Sequence, residues 1–297
     1  MPLRAKPPEA KQKRLKMFVF GPAAVGKTSA LIQFPDNYII DTEKGTDHYA
    51  DTITKQRSVV FQTSVFDEAF REVKELLTTK HSYRTLSIDP VTQLYNSCQE
   101  KYTRIFEKHA KSEKEAEVQD FGMRYWGRVK SDFKAFQRML LSIDMNIIVT
   151  AHQKDQYGSG MTKIGVTFDS MKGEDYLYDL VFRLDVKNGK RMAVTVKERA
   201  EIGKNKFPAE FEWSYENFLK FYGAEIIQKE AVPVQLATPE QVARIKSLLD
   251  VVKIDDLTIA EWMSKADVSD WTEMTSDTIG KCIAFVEKKL TPATSGK

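Results

Sequence analysis

An apolar run, Leu15-Lys-Met-Phe-Val-Phe, leads into Gly21-Pro22-Ala23-Ala24-Val25-Gly26-Lys27-Thr28-Ser29, the G-x-x-x-x-G-K-[ST] pattern of a phosphate-binding loop between a strand and a helix. The two glycines let the backbone wrap an anion with its N–H groups turned inward. The helix that starts near Lys27 adds the positive end of its dipole. The pattern predicts a nucleotide cradle formed by residues 21–29, in which Lys27 reaches the outer phosphates and Thr28 offers a hydroxyl to Mg2+. Ser29 is a second hydroxyl that caps the helix or lines the pocket.

Three more apolar runs stop at polar residues. Thr85-Leu-Ser-Ile-Asp89 halts at Pro90, which marks Asp89 as an acid assisting the metal or as a cap on the next helix. Tyr38-Ile-Ile-Asp41-Thr42-Glu43-Lys44-Gly45 places Glu43 to orient or deprotonate an attacking water, with Asp41 tuning the metal side or holding the loop. An ordinary polar strand exit has the same composition. Met145-Asn-Ile-Ile-Val-Thr150-Ala-His152-Gln153 repeats the pattern and sets Thr150, His152 and Gln153 where a side chain senses a γ-phosphate; a surface histidine without a role also fits.

Helical patterns over 27–33, 66–77, 91 to about 117 and 125–141 alternate with short apolar strands near Val59, Leu86 and Ile147, which argues for a layered α/β sheet. Asn188-Gly189 between two strand-like runs predicts a hairpin, and the alternating Phe211, Trp213 and Tyr215 are expected to close the core. Residues 170–178 read as a short helix docked to the sheet, and the charged stretch 100–120 as a solvated helix or lid. Gln153 to Lys163 is glycine-rich and polar. As a loop it offers Tyr157 for stacking on a base and Lys154 and Lys163 for phosphates of a single strand, although a plain surface loop has this composition too.

The 297 residues, 42% apolar, suffice for one substantial core and a small satellite domain. Expected boundaries are a basic arm over 1–14, a core over 15–228, a linker over 229–238, a three-helix module over 239–290 and a tail over 291–297. Caps at Thr238, Thr258 and Thr275 start the three helices. In and beside the arm, Lys11, Lys13, Arg14 and Lys16 either meet a nucleic acid or solubilise the terminus. A net charge of +3 does not by itself imply a polyanion ligand. Cys98 and Cys282 lie far apart without metal-ligand spacing, which points to a reducing cytoplasm and no structural zinc. No run has the length of a membrane span, and the start lacks the apolar region of a signal peptide.

From residue 15 to about 213 these blocks, in this order, resemble the RecA-like division of P-loop ATPases, most closely the phage-encoded RecA-like ATPases of single-strand annealing and recombination. The resemblance implies a RecA-like core with a central, mostly parallel sheet, ATP and Mg2+ as cofactors, and Asp41 to Gly45 as the catalytic-glutamate segment. It also implies that Lys197 and Arg199, a K-x-R pair on a late strand, act on the nucleotide of a neighbouring subunit; a solvated basic strand end is the plainer reading. Expected partners are single-stranded DNA and further copies of the chain in a filament or ring. A single-strand-binding protein is a candidate partner for the helical module, and the expected setting is the cytoplasm of a phage-infected bacterium. Because only a short arm precedes the first strand, annealing, loading or remodelling is expected rather than strand exchange. A ring helicase or motor, and a nucleotide-gated interaction factor without significant turnover, are the competing functions.

Overall fold

The computed structural model describes residues 14–110, 122–199, 202–229 and 234–290. The expected tail, nearly all of the arm and the end of the helix expected to reach Glu117 lie outside these. Among the described residues nine strands form one sheet: β1 (Lys16–Gly21), β2 (Asn37–Asp41), β3 (Val59–Gln62), β4 (Thr85–Asp89), β5 (Asn146–Tyr157), β6 (Lys163–Asp169), β7 (Leu180–Lys187), β8 (Lys190–Glu198) and β9 (Glu210–Glu212). The order is β3-β2-β4-β5-β1-β7-β8-β9, with β6 added to β5. Every neighbour from β3 to β7 is parallel, and β5-β6, β7-β8 and β8-β9 are antiparallel. β4 is buried at every position and β1 at all but its first, as expected of central parallel strands with unbroken apolar runs.

The helices of the described residues are α1 (Lys27–Leu31), α2 (Ala50–Lys55), α3 (Phe66–Thr78), α4 (Val91–His109), α5 (Gly122–Ser142), α6 (Tyr215–Tyr222), α7 (Ala224–Ile227), α8 (Pro239–Val251), α9 (Asp256–Ala266) and α10 (Ser276–Leu290). The short helix expected over 170–178 is a 3-10 turn at Glu174–Leu177. Among the described residues no helix is long and apolar enough to cross a membrane.

The chain divides into two compact units. The first, residues 1–63, 82–93 and 145–230, holds the whole sheet. Met17 and Val19 of β1 and Phe182 and Leu184 of β7 pack with Leu31 of α1 and Phe218 and Tyr222 of α6. Phe182 has Phe207, Phe211 and Trp213 at centroid distances of 5.1, 5.6 and 5.9 Å, so Phe211 and Trp213 do close the core. Asn188 and Gly189 turn β7 into β8 with φ of 51° and 73°, the two left-handed residues that a tight hairpin turn requires. Two of the basic residues set aside for nucleic acid serve the fold. Arg14 is buried and donates to the Lys229 carbonyl at 2.7 Å, and Lys16 donates to that of Met145 at 3.2 Å.

The second unit, residues 64–81, 94–144 and 231–297, is helical in its described residues. Phe66 of α3 meets Phe133 and Phe136 of α5 at 6.1 and 5.6 Å, and Lys101 bridges Asp67 and Asp132. The C-terminal helices pack around Ile245, Met274, Ile279 and Val286, all fully buried. They group with α3 and α5 through a Val234 N–H donated to Leu77 at 2.9 Å and an Arg138 to Ser269 hydrogen bond at 2.9 Å. Thr238 and Gln241 form the expected capping box. The start expected at Thr258 lies earlier: Asp255 accepts the Leu257 N–H at 3.2 Å, because a carboxylate three residues upstream reaches the first free amides before the threonine does.

Candidate active site

Sheet register brings the polar strand ends into one row. Gly21 pairs with His152 and Val19 with Thr150, Ile88 pairs with Val149, and Asp41 pairs with Asp89. The carboxyl ends of β1, β4 and β2 therefore lie beside the Thr150–His152 stretch of β5, at the edge where open α/β sheets bind ligands.

The loop from Gly21 enters α1 through Gly26, whose φ of 92° is left-handed; Ala24, at φ 60°, is left-handed as well. Lys27 folds back over this loop, its Nζ donating to the carbonyls of Gly21 at 3.0 Å and Pro22 at 2.9 Å. Burial lowers the lysine's pKa against the opposing pull of the Asp89 and Glu43 carboxylates. Thr28 Oγ1 donates to Asp89 Oδ2 at 2.5 Å, and the Thr150 hydroxyl donates to Oδ1. Asp89 is 4% exposed, and burial raises its pKa against the two hydroxyl donors. Ser29 Oγ stands 3.2 Å from the Tyr49 hydroxyl.

Asp41, 1% exposed, accepts N–H groups of Glu43, Gly45 and Thr46 at 3.1, 3.2 and 3.0 Å and the Thr46 hydroxyl at 2.5 Å. Of its two expected roles, holding the loop is the one these contacts supply. The loop so folded carries Gly45 past Thr28: a Cβ at Gly45 would lie 3.4 Å from Thr28 Oγ1. It also projects Glu43, whose carboxylate accepts from Gln93 Nε2 at 2.6 Å and has His152 Nε2 at 3.1 Å. Residues 21–29, Glu43, Asp89, Thr150 and His152 thus occupy one edge.

The remaining candidates lie elsewhere. Lys197 pairs across from Val181, which is level with Phe18, so β8 carries Lys197 and then Arg199 toward the sheet edge opposite the Gly21 loop. Lys197 Nζ donates to the carbonyls of Asp175 and Tyr176 at 2.9 and 3.0 Å, and Arg199 pairs with Asp179 at 3.0 Å. The segment Gln153 to Lys163, expected as a loop, is a correction: most of it is an antiparallel ribbon in which Lys154 lies on β5 opposite Thr167, and Tyr157 pairs with Lys163 of β6. The outer half of β5, from Gln153 to Gln156, is polar throughout and shows no two-residue period, whereas β6 alternates Ile164, Val166 and Phe168 with polar residues or glycine, a strand signal the sequence reading passed over. Lys154 pairs with Asp169 at 2.8 Å and Lys163 with Asp155 at 2.7 Å, and Tyr157 stays 60% exposed.

Gln93, Tyr49 and Arg191 went unnoticed in the sequence. Gln93 had a signal, since it sits in the first turn of the helix that follows Asp89-Pro90. Arg191 had none: its Nε donates to the Val25 carbonyl at 2.9 Å from 166 residues away.

A strand, a left-handed glycine turn, a helix and a buried carboxylate gripping that helix's first hydroxyl define a P-loop NTPase. The chain belongs to the AAA domain family, whose model matches residues 13–207, about two-thirds of its length. An AAA domain implies ATP binding and hydrolysis. No curated protein matches the chain. Solved structures do, among them the crystal structure of the RadB recombinase, with 20% identity over 64% of this chain and 83% of that one; its TM-score of 0.36 is too low to bear on function.

Proposed function

We propose that this chain is a Mg2+-dependent ATPase that acts on single-stranded DNA in recombination or annealing of the phage type, in the cytoplasm, side by side with copies of itself. The observation that carries the chemical half is the convergence of Lys27, the Thr28–Asp89 pair and Glu43 on one sheet edge. The loop from Gly21 to Ser29 holds the phosphates through backbone N–H groups, and Lys27 swings from the Gly21 and Pro22 carbonyls to the outer phosphates. The hard oxygen donors Thr28 and Asp89 fit Mg2+, which when bound neutralises charge building on the β- and γ-phosphates. Glu43 orients the attacking water and accepts its proton, and His152, beside that carboxylate, senses the γ-phosphate.

Support for the DNA half is the β5–β6 ribbon. Its base is the His152 backbone, whose N–H donates to Thr92, and its outer part presents Lys154, Tyr157 and Lys163 with a strongly exposed Met161 and Ile164. Stacking on Tyr157 and phosphate contacts from the lysines suit a single strand. The deciding experiment is steady-state ATP hydrolysis with and without single-stranded DNA, for wild type and Lys27→Ala. Turnover that DNA stimulates and the variant lacks is the expected outcome; DNA-independent turnover removes the coupling.

A second reading has its own observation. Gln93 and His152 both hold the Glu43 carboxylate, which leaves the water-activating group tied down. A nucleotide-gated interaction factor with negligible turnover needs no free Glu43. Under that reading Glu43→Gln leaves the rate unchanged while DNA binding still follows nucleotide; under the preferred one the rate collapses.

A further inference from the structure

Arg191 stands near the start of β8, opposite Val186, and because Phe20 pairs with Arg183 it reaches just beyond the end of β1, beside the phosphate loop. Its Nε donates to the Val25 carbonyl at 2.9 Å. Its guanidinium lies flat against the next residue: a Cβ built on Gly26 would be 2.1 Å from Nη2, 2.3 Å from Cζ and 2.4 Å from Nε. Gly26 is required by its φ of 92°, and the flexible end of Arg191 occupies the space over its Cα where a side chain would stand. The strand beneath is anchored, since the Arg191 carbonyl accepts the N–H of the buried Trp213 at 2.8 Å.

We propose that Arg191 is a positioning residue of the nucleotide site, which sets the Val25–Gly26 peptide so that the Gly26 N–H faces the phosphates. A trans peptide is planar, with its C=O and N–H pointing in opposite directions. Drawing the Val25 carbonyl outward onto the guanidinium turns the Gly26 N–H inward, where the loop collects its anion-binding donors. A charged donor makes this hold stronger than a neutral hydrogen bond, and the flat face of the arginine blocks the peptide from flipping. The pre-set loop then binds ATP without first ordering itself, so the effect belongs to binding more than to turnover.

The inference rests on the ATPase reading, and its test separates the two. ATP–Mg2+ affinity, steady-state hydrolysis and nucleotide-free melting are measured on the full chain for wild type, Lys27→Ala, Arg191→Ala and Arg191→Lys. Arg191→Ala is expected to raise Kd and KM for ATP about tenfold or more, the charge-assisted bond being lost, and to raise KM by a larger factor than it lowers kcat. Arg191→Lys, which restores a donor but not the planar face, is expected to recover about threefold of that loss. The proposal is overturned if Arg191→Ala binds ATP within about twofold of wild type, or if both Arg191 variants lose affinity only in step with lost folding. Loss of binding in Lys27→Ala with Arg191→Ala unaffected rejects the role of Arg191 alone. Unimpaired binding in Lys27→Ala rejects the phosphate-loop reading itself.

Discussion

Asp89 keeps a carboxylate where the fold disfavours its charge. Burial raises its pKa above the ordinary 3.8, and the hydroxyls of Thr28 and Thr150 offset only part of that cost. A carboxylate whose folded pKa is raised binds more protons folded than unfolded, so stability falls as pH rises from the unfolded value through the folded one. The cost begins to build above the ordinary carboxylate value and is complete only above the folded one. Asp89→Asn removes it while keeping an acceptor for one hydroxyl and a donor for the other. The nucleotide-free variant should melt higher than wild type once the Asp89 carboxyl of the wild type is ionised, and lose Mg2+-dependent hydrolysis. Thermal melts across pH check the sign: the gap between variant and wild type should close on acidification. A gap that widens there means that Asp89 is not strained by burial. Asp89 itself was legible in the sequence because an apolar run stopped at it. Its two hydroxyl donors were not legible as donors, because Thr28 and Thr150 reach it only through the register of β1, β5 and β4.

The β5–β6 ribbon shows how an element escapes sequence reading. β5 starts as a buried core strand and runs out into solvent over its last residues, so its second half has neither an apolar face nor an apolar period. Within the expected loop only its middle is a turn, where Gly160 and Met161 adopt φ of 76° and 58° and the Gly158 N–H bonds to the Thr162 carbonyl at 2.9 Å. The C-terminal helices were legible by contrast, because caps and a three-to-four-residue apolar period are local signals. As a strand-binding element the ribbon carries its own competitor: Asp155 and Asp169 already pair with the two lysines offered to phosphate. Tyr157→Ala should weaken binding of an oligothymidylate about fivefold or more, since stacking of one base contributes about 1–3 kcal/mol. Asp155→Asn should strengthen it by freeing Lys163, with a steeper dependence on salt. Fluorescence anisotropy at several salt concentrations reads both changes. Unaltered affinity in both variants removes the ribbon from the DNA interface.

At the scale of the whole molecule, Lys197 and Arg199 cannot serve the nucleotide of their own chain, because β8 delivers them to the sheet edge opposite the loop from Gly21. Burial, and then the charge of Arg199, lowers the pKa of Lys197, which is engaged by the carbonyls of Asp175 and Tyr176. A catalytic role for either residue therefore requires a neighbour docked head to tail, with the basic edge of one copy against the phosphate loop of the next. Such an assembly has a signature in mixtures. Lys27→Ala spoils the loop of its own subunit and leaves the basic edge intact; Arg199→Ala does the reverse. Each variant alone should hydrolyse little ATP, although Arg199→Ala should still bind it. Mixed in equal amounts and allowed to exchange, about one quarter of head-to-tail interfaces join an intact loop to an intact Arg199, so that share of the wild-type rate should return. Hydrolysis that stays at the level of the separate variants, in a mixture shown by light scattering to have assembled and exchanged, means that Arg199 does not act across an interface and leaves its pairing with Asp179 as its whole role.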